Sequence, residues 1–99
     1  MKAESLFKEK RIVIHAKSGQ IGIVELKIWA IPKSVKFPTG RKFSLFLVAD
    51  GEVILGIDNH HPKGPHLHLG ERELTYDYVN DKQTLEDFWD LVRKAGFKV

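Results

Sequence analysis

Hydrophobic and polar positions alternate with a period of two through most of the chain, then switch to a helical spacing near residue 84. Residues 6–16 read as a first strand. It is charged through Lys8-Glu9-Lys10-Arg11 and β-branched through Ile12-Val13-Ile14, so its early part belongs in an exposed position or at a sheet edge. Lys17-Ser18-Gly19-Gln20 is a turn. Residues 21–31 form a second strand, with Val24, Leu26, Ile28 and Ala30 on one face and Glu25 and Lys27 on the wetter one. Pro32 ends that strand, and residues 32–42, with prolines, a glycine and four basic residues, form a loop. Phe43 to Ala49 is apolar on both faces, as a central strand should be. Asp50-Gly51 supplies the positive φ of a two-residue hairpin, and Glu52 to Ile57 returns antiparallel.

Beyond residue 57 the pattern becomes polar, and His66-Leu67-His68-Leu69 then alternates strictly. Glu71-Arg72-Glu73 reads as exposed, and Thr75 to Val79 as a last short strand. From about Thr84 to Ala95 the chain is helical. Leu85, Phe88, Trp89, Val92 and Ala95 form one buried stripe, while Glu86, Asp87 and Asp90 face water. Thr84, Asn80 or Asp81 caps the start and Gly96 the end. These elements predict an α+β fold: an antiparallel sheet of four to six strands, a meander of hairpins, with the C-terminal helix packed on one face. Trp29 and Trp89 read as core residues rather than platforms for nucleobases.

Ninety-nine residues suit a single domain over 1–99. The absence of cysteine excludes disulfides, thiolate chemistry and Cys-based zinc sites. The N-terminus runs straight into charged sequence, without the apolar core of a signal peptide. No apolar run approaches the ~20 residues that span a bilayer. We therefore expect a cytoplasmic protein with no membrane partner. The net charge of +3 is unevenly placed: residues 1–72 carry twelve Lys/Arg against seven Asp/Glu, and residues 73–99 carry four against six. The first part suits phosphate and the acidic end a basic partner, although scattered lysines also serve simply to solvate a surface.

The chemistry concentrates in residues 58–70, which hold four of the five histidines. Alternation puts His66 and His68 on one face of an extended chain, with Leu67 and Leu69 anchoring the other in the core. Three readings compete for this stretch. In the first, histidines act as acid and base in cleaving RNA through its own 2′-hydroxyl, with Lys63, Arg72, Arg41 and Lys42 holding phosphate and no cofactor needed. In the second, the His-x-His pair with Asp58 or His60 holds a metal, as in an open hydrolase site. In the third, the histidines only make structural hydrogen bonds in a module that binds nucleic acid or protein. His15, at the end of the first strand, reads as a surface or hairpin-end residue. Asp58-Asn59 has a reading of its own as turn residues.

Gly56-Ile57-Asp58-Asn59-His60 followed by Lys63-Gly64-Pro65-His66-Leu67-His68 resembles the TumE-type toxins of bacterial and archaeal toxin–antitoxin modules. The charged opening from Lys2-Ala3-Glu4 to Lys10, the Glu25-Leu26-Lys27-Ile28-Trp29 strand, Phe43-Ser44-Leu45 and Leu85-x-x-Phe88 extend the likeness along most of the chain. The resemblance implies a growth-inhibiting toxin neutralised by an antitoxin with a helix-turn-helix DNA-binding domain. It points to His66 and His68 first, then to Asp58, Asn59 and Lys63. Pro62 and Pro65 depart from the more varied, glycine-rich sequence expected around Lys63-Gly64. Our leading expectation is an RNA-cleaving toxin with His66, His68, His60, Asp58 and Asn59 as catalytic candidates, no metal, RNA as substrate, and room for a homo-oligomer. The non-enzymatic binding module comes second and the metal-dependent hydrolase third.

Overall fold

The period-two pattern becomes one antiparallel sheet. A computed structural model describes residues 3–99, so Lys2 of the charged opening lies outside the described residues. The strands are β1 (Glu4–His15), β2 (Ile21–Ala30), β3 (Arg41–Ala49), β4 (Glu52–Asp58), β5 (His66–Leu69), β6 (Arg72–Thr75) and β7 (Phe97–Lys98); the helix α1 (Asp81–Lys94) precedes β7. Their spatial order is β6-β5-β4-β3-β2-β1-β7, a meander closed on one side by the C-terminal strand. The sheet curls into a half-barrel.

Register decides which residues share a face. Val24 pairs with Leu47, Leu26 with Leu45 and Ile28 with Phe43; Leu45 and Leu47 in turn oppose Ile57 and Leu55. These side chains are buried, and Phe88 and Val92 of α1 complete their core. Leu67 and Leu69, opposite Ile57 and Leu55, extend the apolar face into β5. The other face carries two rows that cross the ladders, Lys27, Ser44, Asp58 and His66 in one and Glu25, Phe46, Gly56 and His68 in the next. The expected anchoring of the histidine strand by its leucines therefore holds. No helix among the described residues is long and apolar enough to cross a membrane.

The sheet has seven strands rather than four to six because β7 is added after the helix, and the last strand of the meander is also displaced along the chain. The last strand begins earlier than its pattern suggested, because Gly70-Glu71 forms a tight turn with Gly70 at φ 62° and so lets Arg72 pair at once with Leu69. Residues 76–79 leave the sheet instead. The Tyr76 hydroxyl donates to Asp87 and the Tyr78 hydroxyl to Asp81 at 2.6 Å, which lashes this segment to the start of the helix. Asp87 is thus half-buried and engaged rather than simply facing water. The added strand, β7, pairs Phe97 with His15 and Lys98 with Ile14 immediately after Gly96 (φ 95°) turns the chain.

The helix begins three residues before Thr84. Asn80 is its N-cap, with Oδ1 accepting from the Gln83 amide at 2.7 Å. Asp81 in the first turn and Arg93 and Lys94 in the last complement the helix dipole. Thr84 is fully buried because its hydroxyl donates back to the Asn80 carbonyl at 3.0 Å, which satisfies it inside the core. Trp89 packs on the core edge with the Arg11 guanidinium 4.7 Å above its ring, while Trp29 lies half-buried beneath Lys42.

Candidate functional site

β4 and β5 assemble the site. Their pairing sets Asp58 opposite His66 and Gly56 opposite His68, on the face away from the helix. The Asp58 carboxylate lies between the two imidazoles: Oδ1 is 3.1 Å from His66 Nε2, and Oδ2 is 3.5 Å from His68 Nε2. The rings meet edge to face with centroids 4.5 Å apart. Only 9% of the His66 side chain, 21% of His68 and 13% of Asp58 remain accessible, so these groups interact in a partly dry environment.

A carbonyl oxygen can only accept a hydrogen bond, and Gly64 O lies 2.7 Å from His66 Nδ1. Nδ1 therefore bears hydrogen, which fixes the ring and directs Nε2 at Asp58. His68 Nε2 is buried without a hydrogen-bond partner among the described residues. Gly56 creates room beside it. With no side chain there, Phe46 lies across the strand, and its ring reaches His68 at 5.5 Å between centroids.

Glu73 completes the cluster from β6, where it pairs with His68. Its Oε1 stands 3.5 Å from His68 Nδ1 and 3.7 Å from His66 Nε2, while Oε2 accepts from Lys63 Nζ at 2.7 Å. The Lys63 hydrogen bond holds the Glu73 carboxyl below its usual range, against a smaller opposing effect of desolvation. In the sequence alone Glu73 reads as one more exposed charge. The signal was the two-residue turn at Gly70-Glu71, which fixes residue 73 opposite residue 68.

Asp58, His60, His61, Pro62, Lys63, His66, His68 and Glu73 enclose a cavity of about 350 Å³. The structure thus gathers Asp58, His60, Lys63, His66 and His68 from the residues singled out in the sequence. His60 and His61 are exposed at the rim.

Four other candidates stand apart. Asn59 is buried, and its amide spans the end of the sheet: Oδ1 accepts from the Phe43 amide at 2.9 Å and Nδ2 donates to the Arg41 carbonyl at 2.7 Å. Arg41 binds Asp81 at 2.9 Å on the helix side. Arg72 pairs with Leu69 and so shares the leucine face. Lys42, next to Arg41 at the start of β3, lies over Trp29, its strand neighbour on β2, and does not line the cavity. His15 closes its own hairpin, with Nδ1 accepting from the amides of Lys17 and Ser18 at 3.2 and 3.1 Å.

A larger groove of about 620 Å³ runs between β1 and α1, past Leu6, Phe7, Ile28, Leu85 and Trp89. Its walls are apolar with a charged rim, and it brings together no convergent set of donors.

No curated protein and no solved structure matches the chain significantly. The family model described as toxin TumE matches residues 3–95, covering every strand of the meander and the helix. The chain belongs to the TumE toxin family.

Proposed function

We propose that this toxin acts by cleaving RNA in the cavity formed by Asp58, His66, His68 and Glu73. The observation that carries this reading is the convergence of two imidazoles and two carboxylates on one partly dry pocket with an ammonium, Lys63, at its edge. In the reaction, the 2′-hydroxyl oxygen attacks the adjacent phosphorus and loses its proton, the bond from phosphorus to the 5′-oxygen breaks, and that oxygen gains a proton. The site must therefore move two protons and balance charge on phosphate.

The two inner histidines share one carboxylate, so they act as a joined centre rather than as an acid and a base on opposite sides of a phosphate. His60 stands exposed at the rim of the same cavity. Lys63 offers a cation that a phosphate can draw away from Glu73. Membership in a toxin family implies a cognate antitoxin, and the motif resemblance points to a helix-turn-helix DNA-binding protein.

The test is incubation of purified protein with RNA, followed by analysis of the fragment ends. Fragments ending in 2′,3′-cyclic phosphate with 5′-hydroxyl partners are expected. Intact RNA across a range of sequences and folds, from protein that still arrests growth, would refute the reading.

A further inference from the structure

We infer that Asp58, His66 and His68 form a binding site for one divalent transition-metal ion of the zinc class. The inference rests on the cavity being the reactive centre, and it deepens that reading by naming what the centre holds.

Three observations support it. The first is spacing. One ligand atom from each of the three residues lies within 4.8 Å of the others. The closest separations from Asp58 are 3.1 Å to His66 Nε2 and 3.5 Å to His68 Nε2. Ligands at about 2.0–2.1 Å from a tetrahedral zinc stand about 3.3 Å from one another. Both carboxylate–imidazole separations, one to each oxygen of Asp58, already stand close to that spacing, and the imidazole ligand atoms lie within 4.8 Å of each other.

The second is the direction of the lone pairs. His66 Nδ1 spends its hydrogen on Gly64 O, so a neutral ring presents a bare Nε2 to a carboxylate oxygen. Two lone pairs facing each other repel unless a cation stands between them. His68 Nε2 is buried, lacks a partner and points toward the same carboxylate. The Gly64 carbonyl is the kind of outer partner that orients a metal-bound imidazole.

The third is charge. Asp58 and Glu73 bring two negative charges to the cavity and Lys63 one positive charge, so with neutral imidazoles the pocket repels a phosphate. A divalent ion reverses the sign. Two imidazoles and a carboxylate, with Glu73 Oε1 turned toward both rings at 3.5 and 3.7 Å, suit zinc, cobalt or nickel rather than magnesium, which prefers an oxygen octahedron.

The test uses the full chain stripped with chelator and titrated with Zn²⁺ or Co²⁺, with Mg²⁺ as control. Calorimetry should give one equivalent of Zn²⁺, Co²⁺ should develop the visible absorption of a four-coordinate site, and Mg²⁺ should not compete. His68→Gln and Asp58→Asn, shown to be folded by circular dichroism, should each weaken binding by ~10²-fold or more. A His60→Ala/His61→Ala double variant should retain the site, since those exposed rings only rim it.

Absence of saturable Zn²⁺ binding to the wild-type chain overturns the inference. So does binding that survives in both His68→Gln and Asp58→Asn but disappears in the rim double variant. RNA cleavage by stripped protein that binds no zinc would remove the ion and leave the RNA reading standing. Stoichiometric zinc in a protein that leaves RNA intact would do the reverse.

Discussion

His66 faces Asp58 across the β4–β5 ladder, and their side chains meet with Nε2 3.1 Å from Oδ1. The next pair on that face sets Gly56 against His68, and the missing side chain of Gly56 lets Phe46 lie against the second imidazole. A Cβ at residue 56 would run into the Phe46 ring and press on the Leu45 carbonyl oxygen. Gly56→Ala should therefore cost ~1–3 kcal/mol through overpacking and also disturb His68. Denaturant unfolding and activity measured well below the melting temperature would separate the two effects. Activity should fall even where the variant is fully folded.

Asn59 is expected to matter for stability rather than for chemistry. Its side chain replaces a strand neighbour for the Phe43 amide and the Arg41 carbonyl. Asn59→Ala leaves buried backbone groups unpaired and should destabilise the fold by roughly 1–3 kcal/mol. Where the variant is folded, its RNA cleavage should stay near wild type. A large loss of activity without a loss of stability would place Asn59 in the site after all.

The helix is an integral part of the core, to which it contributes Phe88 and Val92. Phe88 is fully buried against the sheet, so Phe88→Ala should cost ~3–5 kcal/mol in equilibrium unfolding. A loss under ~1 kcal/mol would mean that the site can dismiss the ring cheaply and that the helix is loosely held.

The phenol lashings predict an alkaline limb. Burial, with hydrogen bonding to Asp87, raises Tyr76 to about 12; burial, with hydrogen bonding to Asp81, raises Tyr78 to about 12. Each hydroxyl gives up its proton at about pH 10 when unfolded but only near 12 when folded. Their stabilising contribution is thus complete below pH ~10 and is lost as pH rises toward ~12. Tyr76→Phe and Tyr78→Phe should be less stable than wild type at neutral pH and lose less stability over that window. An unchanged slope would show that the phenols do not hold the segment.

Much of this arrangement was legible in the sequence because side-chain direction in a strand has a period of two. That rule separated His66 and His68 from Leu67 and Leu69, and Asp50-Gly51 placed the central hairpin. The same rule could have excluded Arg72, once Gly70-Glu71 was read as a two-residue turn, and would have included Glu73. It could equally have set Arg41 with Phe43 on the helix side. Asn59 was harder. A buried amide that bonds only to backbone looks, in sequence, like any polar neighbour of an aspartate. The two residues of β7 are too few to carry a pattern, and their pairing depends on the turn at Gly96 bringing them beside His15.

We propose the cluster at Asp58, His66 and His68 as the place where the toxin acts. The most direct measurement compares RNA cleavage and growth arrest by wild type and by His68→Gln, with folding of the variant verified by its melting transition. The expected result is a cleavage rate lower by ~10²–10⁴-fold, growth arrest lost in parallel, and a melting temperature close to wild type. A folded His68→Gln variant that cleaves RNA and arrests growth as fast as wild type would contradict it.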